Sequence, residues 1–170
     1  MPSTAEAPTS LPNIGVRITS EWRRFDELSA TALYELLRLR QQVFVVEQGS
    51  PYPDLDGLDQ KSRHLLLESN RTLCGCLRLL PPVEDGPAVH SPVVRIGRVC
   101  IARQWRRRGL GRRLMAEALA FCRKHHSGRA VVLSAQLPLV HFYESFGFAS
   151  VGDAYDDFGI PHTEMRLLPP

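Results

Sequence analysis

An α/β fold built on a central mixed sheet is predicted by three observations in this 170-residue sequence. Apolar runs at residues 64–69 and 73–80 meet at Asn70-Arg71, the pattern of a β-hairpin. The run at 94–101 reads as a strand, and an amphipathic helix follows it. A β-branched run at 130–135 comes after that helix, so the order is strand, crossover helix, parallel strand.

The elements are justified in chain order. Residues 1–15 are rich in Pro, Ser, Thr and Ala without periodicity and read as a disordered tail, leaving residues 16–170 as a single domain. Residues 18–25 form a first strand. Leu33, Leu36, Leu37, Val43 and Phe44 mark a helix with one apolar face, ending near Glu47. Pro51 and Pro53 make residues 49–57 a loop, and residues 81–92 are a second, Pro-rich break. Past the strand at 94–101, Leu110, Leu114, Ala118, Phe121 and Cys122 recur at helical spacing to about His125. A short helix follows Pro138, with Leu139, Phe142 and Phe146 on one face and Gly147 placed to end it. Strands at 149–155 and 163–168 close the chain.

Composition narrows the function classes. A chain that is 44% hydrophobic can bury one sizeable core. Net charge is only +3, so basicity is local, and the windows 47–59 and 153–157 are acidic without Lys or Arg. Cys74, Cys76, Cys100 and Cys122 form no CxxC pair and have no His cluster, which argues for reduced, buried thiols and against a metal site. There is no signal-peptide pattern and no run of about 18 apolar residues, so a cytoplasmic protein without a membrane partner is expected.

The segment Arg106-Arg107-Arg108-Gly109-Leu110-Gly111 describes an anion-binding helix start. Gly109 and Gly111 can take positive φ and let successive N–H groups converge, and the helix N-terminus adds unpaired donors. Three readings compete: a solvated arginine run, a nucleic-acid patch made from the six arginines between Arg103 and Arg113, and a cofactor pyrophosphate site. The nucleic-acid reading lacks interleaved aromatics. The GxGxxG and P-loop fingerprints are absent, so a different phosphate loop is needed.

These residues resemble the GCN5-related N-acetyltransferase (GNAT) superfamily, whose acetyl-CoA loop reads Gln/Arg-x-x-Gly-x-Gly/Ala; Arg106, Gly109 and Gly111 stand at its fixed positions. Residues 142–148, Phe-Tyr-Glu-Ser-Phe-Gly-Phe, are similar to the family's Tyr-x-x-x-Gly-Phe ending. Within the superfamily the ElaA-like group is matched by Leu33-Tyr34-Glu35-Leu36-Leu37, Val43-Phe44-Val45-Val46-Glu47-Gln48, Pro51-Tyr52 and Gly159-Ile160-Pro161-His162. The resemblance implies a mostly antiparallel sheet flanked by helices, with parallel strands splayed apart to admit acetyl-CoA, and a chemistry that needs no metal.

The resemblance also implies roles. The acceptor is a primary amine, small-molecule rather than protein, attacking the thioester directly in a ternary complex. At pH 7 only about one lysine-like amine in a thousand is neutral, so a base is needed. Backbone N–H groups of Val99, Cys100 and Ile101 face the oxyanion. The cofactor contacts are Arg106, Arg107, Arg108, Gly109, Leu110, Gly111 and Arg112 at the pyrophosphate and Gln136 at the pantetheine arm. Tyr143 is the acid that protonates the leaving thiolate, although by helical position alone it also reads as core. The strand before the loop, Arg95-Ile96-Gly97-Arg98-Val99, carries no carboxylate, so the base is sought among Glu47, Glu68, His64 and His162. His64 and Glu68 also read as solvent-facing, and His162 as a brace for its turn. Glu47 and His162 are retained as base or substrate contacts.

Cys100 has nothing nearby in sequence to lower its pKa and gets no nucleophilic role. Asp54, Asp56 and Asp59 miss EF-hand spacing, so their loop is expected to be exposed or substrate-facing. The acidic windows suggest a cationic acceptor held by Glu47, Asp56 or Asp157. A non-catalytic acyl-CoA sensor stays open because no base is fixed, and the reading admits a homodimer.

Overall fold

The computed structural model describes residues 17–49, 53–83 and 92–169. The expected tail at 1–15, the Pro51-Tyr52 pair and most of the Pro-rich break at 81–92 lie outside the described residues.

Seven strands form one mixed sheet: β1 (Thr19–Arg24), β2 (Arg63–Ser69), β3 (Thr72–Leu79), β4 (Val94–Ile101), β5 (Val131–Gln136), β6 (Ala149–Asp157) and β7 (Ile160–Leu167), in the spatial order β1-β2-β3-β4-β5-β7-β6. All neighbouring pairs are antiparallel except β4 and β5, which are parallel. That exception follows from the crossover helix α2 (Leu110–His125) between them. β2 and β3 meet at Asn70 and Arg71, both at positive φ, the two-residue hairpin turn whose twist matches its strands.

Two apolar layers cover the sheet. On one side α2 buries Leu110, Leu114, Met115, Ala118, Leu119 and Cys122 against Leu65, Leu77, Ile96 and Leu133. Each such aliphatic side chain contributes roughly 1.5–3 kcal/mol relative to exposure. On the other side α1 (Ala30–Arg40), capped by the Ser29 side chain accepting from Ala32 N at 3.2 Å, sets Leu36 and Leu39 on Leu66, Cys76 and Cys100. The helical path then widens into a π-helical segment, Gln41–Glu47. Such widened turns recur at functional sites. The short helix α3 (Val140–Glu144) follows a 3₁₀ turn, Leu137–Leu139, opened by Pro138; a turn after it leads to Gly147, where φ is +91°.

Two features of β4 decide where the site forms. It pairs with β5 at only two rungs, Val94 with Val131 and Arg95 with Val132, after which the strands part. On its other edge the register slips between Cys76 opposite Cys100 and Arg78 opposite Gly97, so that Arg98 and Val99 together stand opposite Leu77. This is a β-bulge, with Arg98 at φ +53°.

Candidate active site

The gap between β4 and β5 opens into a cleft of about 710 Å³. Val99, Cys100, Ile101, Arg106, Gly111, Gln136 and Tyr143 line it, as do Glu47 and His162. The sequence motifs thus converge on one cavity although they are spread from Glu47 to His162.

At one end stands the start of α2. Gly109 is its N-cap at φ +75°, and the first helical bond runs from Arg113 N to Gly109 O at 3.1 Å. The amides of Leu110, Gly111 and Arg112 consequently have no intrahelical acceptor and suit an anion. Positive φ was expected at both glycines, but only Gly109 has it; Gly111 is helical, and a Cβ there would sit an ordinary 3.7 Å from Phe142. Its missing side chain opens the cleft wall instead. Leu110 turns its side chain into the core.

The arginines diverge. Arg106 donates from Nε to Ile101 O at 3.0 Å and from Nη2 to Glu47 at 2.8 Å, turning toward the cleft wall. Arg108 lies over Trp105, Arg112 bonds Ser145 Oγ at 3.2 Å, and Arg113 reaches Ile18 O and Glu117. Arg107 is exposed at φ +61°. Backbone amides, rather than a shared arginine face, are what this end offers.

Tyr143 is buried, its ring edge-on to Phe142 and Phe148, and burial pushes its phenol up to about 12. It therefore holds its proton throughout the neutral range. Gln136 donates to Gln48 Oε1 at 3.2 Å across the cleft.

At the far end, His162 Nδ1 lies 2.7 Å from Ile160 O. A carbonyl only accepts, so Nδ1 carries the proton and Nε2 presents its lone pair. Asp157 Oδ2 is 4.0 Å from the same Nδ1. The bracing of the turn and a place in the cleft are thus both true of His162. Glu47 is held in an ion pair with Arg106 at 2.8 Å. Glu68 and His64 are not among the cleft-lining residues.

One expectation is overturned and another holds only in part. His64 does not face solvent: it is 1% exposed, its Nε2 lies 3.1 Å from Asp59 O, and burial lowers its pKa. The loop of Asp54, Asp56 and Asp59 is exposed and cleft-facing at Asp56, as expected, but its other two aspartates turn inward. Asp54 and Asp59 are buried on Arg40, at 2.8 and 2.6 Å, while Asp56 pairs with Arg78 at 2.6 Å and Arg98 at 3.2 Å. Arg98 Nε also lies 2.7 Å from Asp54 Oδ1, an ion pair without hydrogen-bond alignment. A buried charge demands a partner, and three aspartates meeting three arginines satisfy that demand. The arginines carried one signal: Arg40 lies four residues after Leu36 and three before Val43, on the apolar stripe of the helix.

The cleft, its unpaired amides and its buried phenol are the geometry that a sequence comparison then explains. The family model for the acetyltransferase (GNAT) domain matches residues 40–169. The chain belongs to the GNAT family. Among its relatives, ElaA of Escherichia coli is 42% identical over 149 residues, 85% of this chain and 94% of ElaA. The crystal structure of Escherichia coli ElaA matches the GNAT fold described above with a TM-score of 0.80 at 39% identity, covering 88% of this chain and 99% of that one. An acyl-CoA N-acyltransferase from Pseudomonas aeruginosa matches with a TM-score of 0.78 at 38% identity, covering 88% and 99%. Among the described residues, no helix of this GNAT protein is long and apolar enough to cross a membrane.

Proposed function

We propose that this GNAT protein transfers an acetyl group from acetyl-CoA to a primary amine of a small molecule, in one step within a ternary complex. The parting of β4 from β5 carries the reading, because it makes a slot with amide donors at one end and an imidazole at the other. The amides of Leu110, Gly111 and Arg112 hold the pyrophosphate, and Gln136 exchanges its bond to Gln48 for the pantetheine arm. The amides of Val99 to Ile101, beside the bulge, stabilise charge developing on the thioester oxygen.

His162 Nε2 takes a proton from the acceptor ammonium, with Asp157 4.0 Å from Nδ1 on the other side of the ring. The amine lone pair then attacks the carbonyl carbon. As the C–S bond breaks, the Tyr143 hydroxyl protonates sulfur and the nitrogen gives its extra proton to the phenolate so formed, leaving free thiol, an amide and a restored Tyr143, while His162 passes the proton it took to solvent.

Thiol release from acetyl-CoA across an amine panel tests the reading. Tyr143→Phe is expected to lower kcat by roughly 10²–10⁴-fold while leaving CoA affinity intact. Tight CoA binding with no amine-dependent release would favour a sensor instead.

A further inference from the structure

We infer that the acceptor carries a carboxylate as well as its amine, an amino-acid-like zwitterion, and that Arg95 anchors the carboxylate. This rests on the reading above, in which His162 faces the amine. Counting acids in the sequence suggested a cationic acceptor, but Glu47 and Asp56 are each held by arginine, so the cleft is not the acidic surface that the count implied.

Arg95 stands at the second rung shared by β4 and β5, where the slot begins, and its side chain lines the cleft at 32% exposure. Among the described residues it makes one ion pair, from Nη2 to Glu164 Oε2 at 3.2 Å. A guanidinium has five N–H donors in a planar fork suited to a carboxylate, so most of this fork remains available. Arg78 differs in being buried and bound to two aspartates.

The spacing fits a short acceptor. Glu164 and His162 lie two residues apart on β7, opposite Ser134 and Gln136 of β5, so their side chains emerge on one face. A two-residue step along a strand is about 7 Å. Arg95 meets the Glu164 end of that step, so with hydrogen bonds of about 3 Å at each end a molecule whose amine and carboxylate are a few bonds apart has the length to bridge from Arg95 toward His162. Asp157 complements the ammonium before it loses its proton, whereas a polyamine would set a second cation against Arg95.

The test measures thiol release by the full chain with acetyl-CoA, using free amino acids, their amides and polyamines. Free amino acids are expected to exceed their amides in kcat/KM by at least about tenfold. Arg95→Gln should erase that preference by raising KM, with kcat within about threefold. Glu164→Gln, which releases Arg95 from its partner, should lower KM. A purely structural ion pair predicts that both variants fail alike, and that outcome would overturn the inference, as would equal turnover of amides or polyamines by the wild type. CoA affinity, unchanged in both variants, shows that each is folded. Should no amine release thiol, acetyl transfer fails but the anchor is still tested: calorimetry of the CoA-saturated protein should show binding of an amino acid and not of its amide, and equal binding would refute it.

Discussion

His162 and His64 are both buried and both face a backbone carbonyl, yet their surroundings give them opposite characters. His162 fixes Nδ1 on Ile160 O and lines the cleft, while His64 fixes Nε2 on Asp59 O and leaves Nδ1 without a hydrogen-bond partner beside the arginines. Their sequence contexts carry no sign of this, because the partners come from backbone geometry. The places of Tyr143 and Gly111 in the cleft wall and of Gly109 at the helix start were legible because all three stand in spaced motifs. The two glycines now separate by mechanism. Gly109→Val forces a β-branched residue to φ +75°, and is expected to cost roughly 1–3 kcal/mol and to abolish CoA binding. Gly111→Ala meets only Phe142 at 3.7 Å, so its thermal midpoint should stay near wild type while CoA affinity falls. Thermal melts beside calorimetric titration with CoA distinguish the two, and equal melting losses would refute the separation.

At the scale of elements, strands and helices were readable from apolar periodicity, including the hairpin at Asn70-Arg71 and the crossover through α2. The π-helical segment was not, because Val43, Phe44, Val45 and Val46 are all apolar and no periodicity distinguishes a widened turn from a regular one. The bulge at Arg98 and Val99 was equally hidden, since register belongs to a pair of strands. That pairing is tight at Gly75, where an added Cβ would fall 2.9 Å from the Cys100 carbonyl oxygen and also strike the Ile101 side chain. Gly75→Ala must therefore push β4 away from β3, and a loss of about 1–3 kcal/mol is expected in urea unfolding. Because the displaced residues line the cleft, turnover should fall with stability; a stable, fully active variant would contradict this account.

Across the whole molecule, the cluster of Arg40, Arg78 and Arg98 with Asp54, Asp56 and Asp59 joins α1, the loop before β2, β3 and β4. Its partners lie 14 to 44 residues apart, so a window of local composition counted the acids as free. Burial raises the carboxyl pKa of Asp56 and Asp59, but hydrogen bonds and charge from Arg78, Arg98 and Arg40 outweigh it and hold both below the ordinary value of 3.8. A folded pKa below the unfolded one means that stability is complete above about pH 4 and drains away as pH falls further. Asp59→Asn is expected to lose about 3–5 kcal/mol at pH 7, because Arg40 keeps its buried charge, and to show a shallower decline on acidification. Urea midpoints between pH 7 and pH 2 measure both effects, and parallel curves for variant and wild type would exclude the cluster as the source.

The two rungs between β4 and β5 also have a mechanical meaning. Beyond Arg95 and Val132 the backbone ladder gives way to a fissure, so under load the sheet is weakest along the line where it is most useful. A molecule that lodged in that fissure and gripped both banks would act as mortar across it.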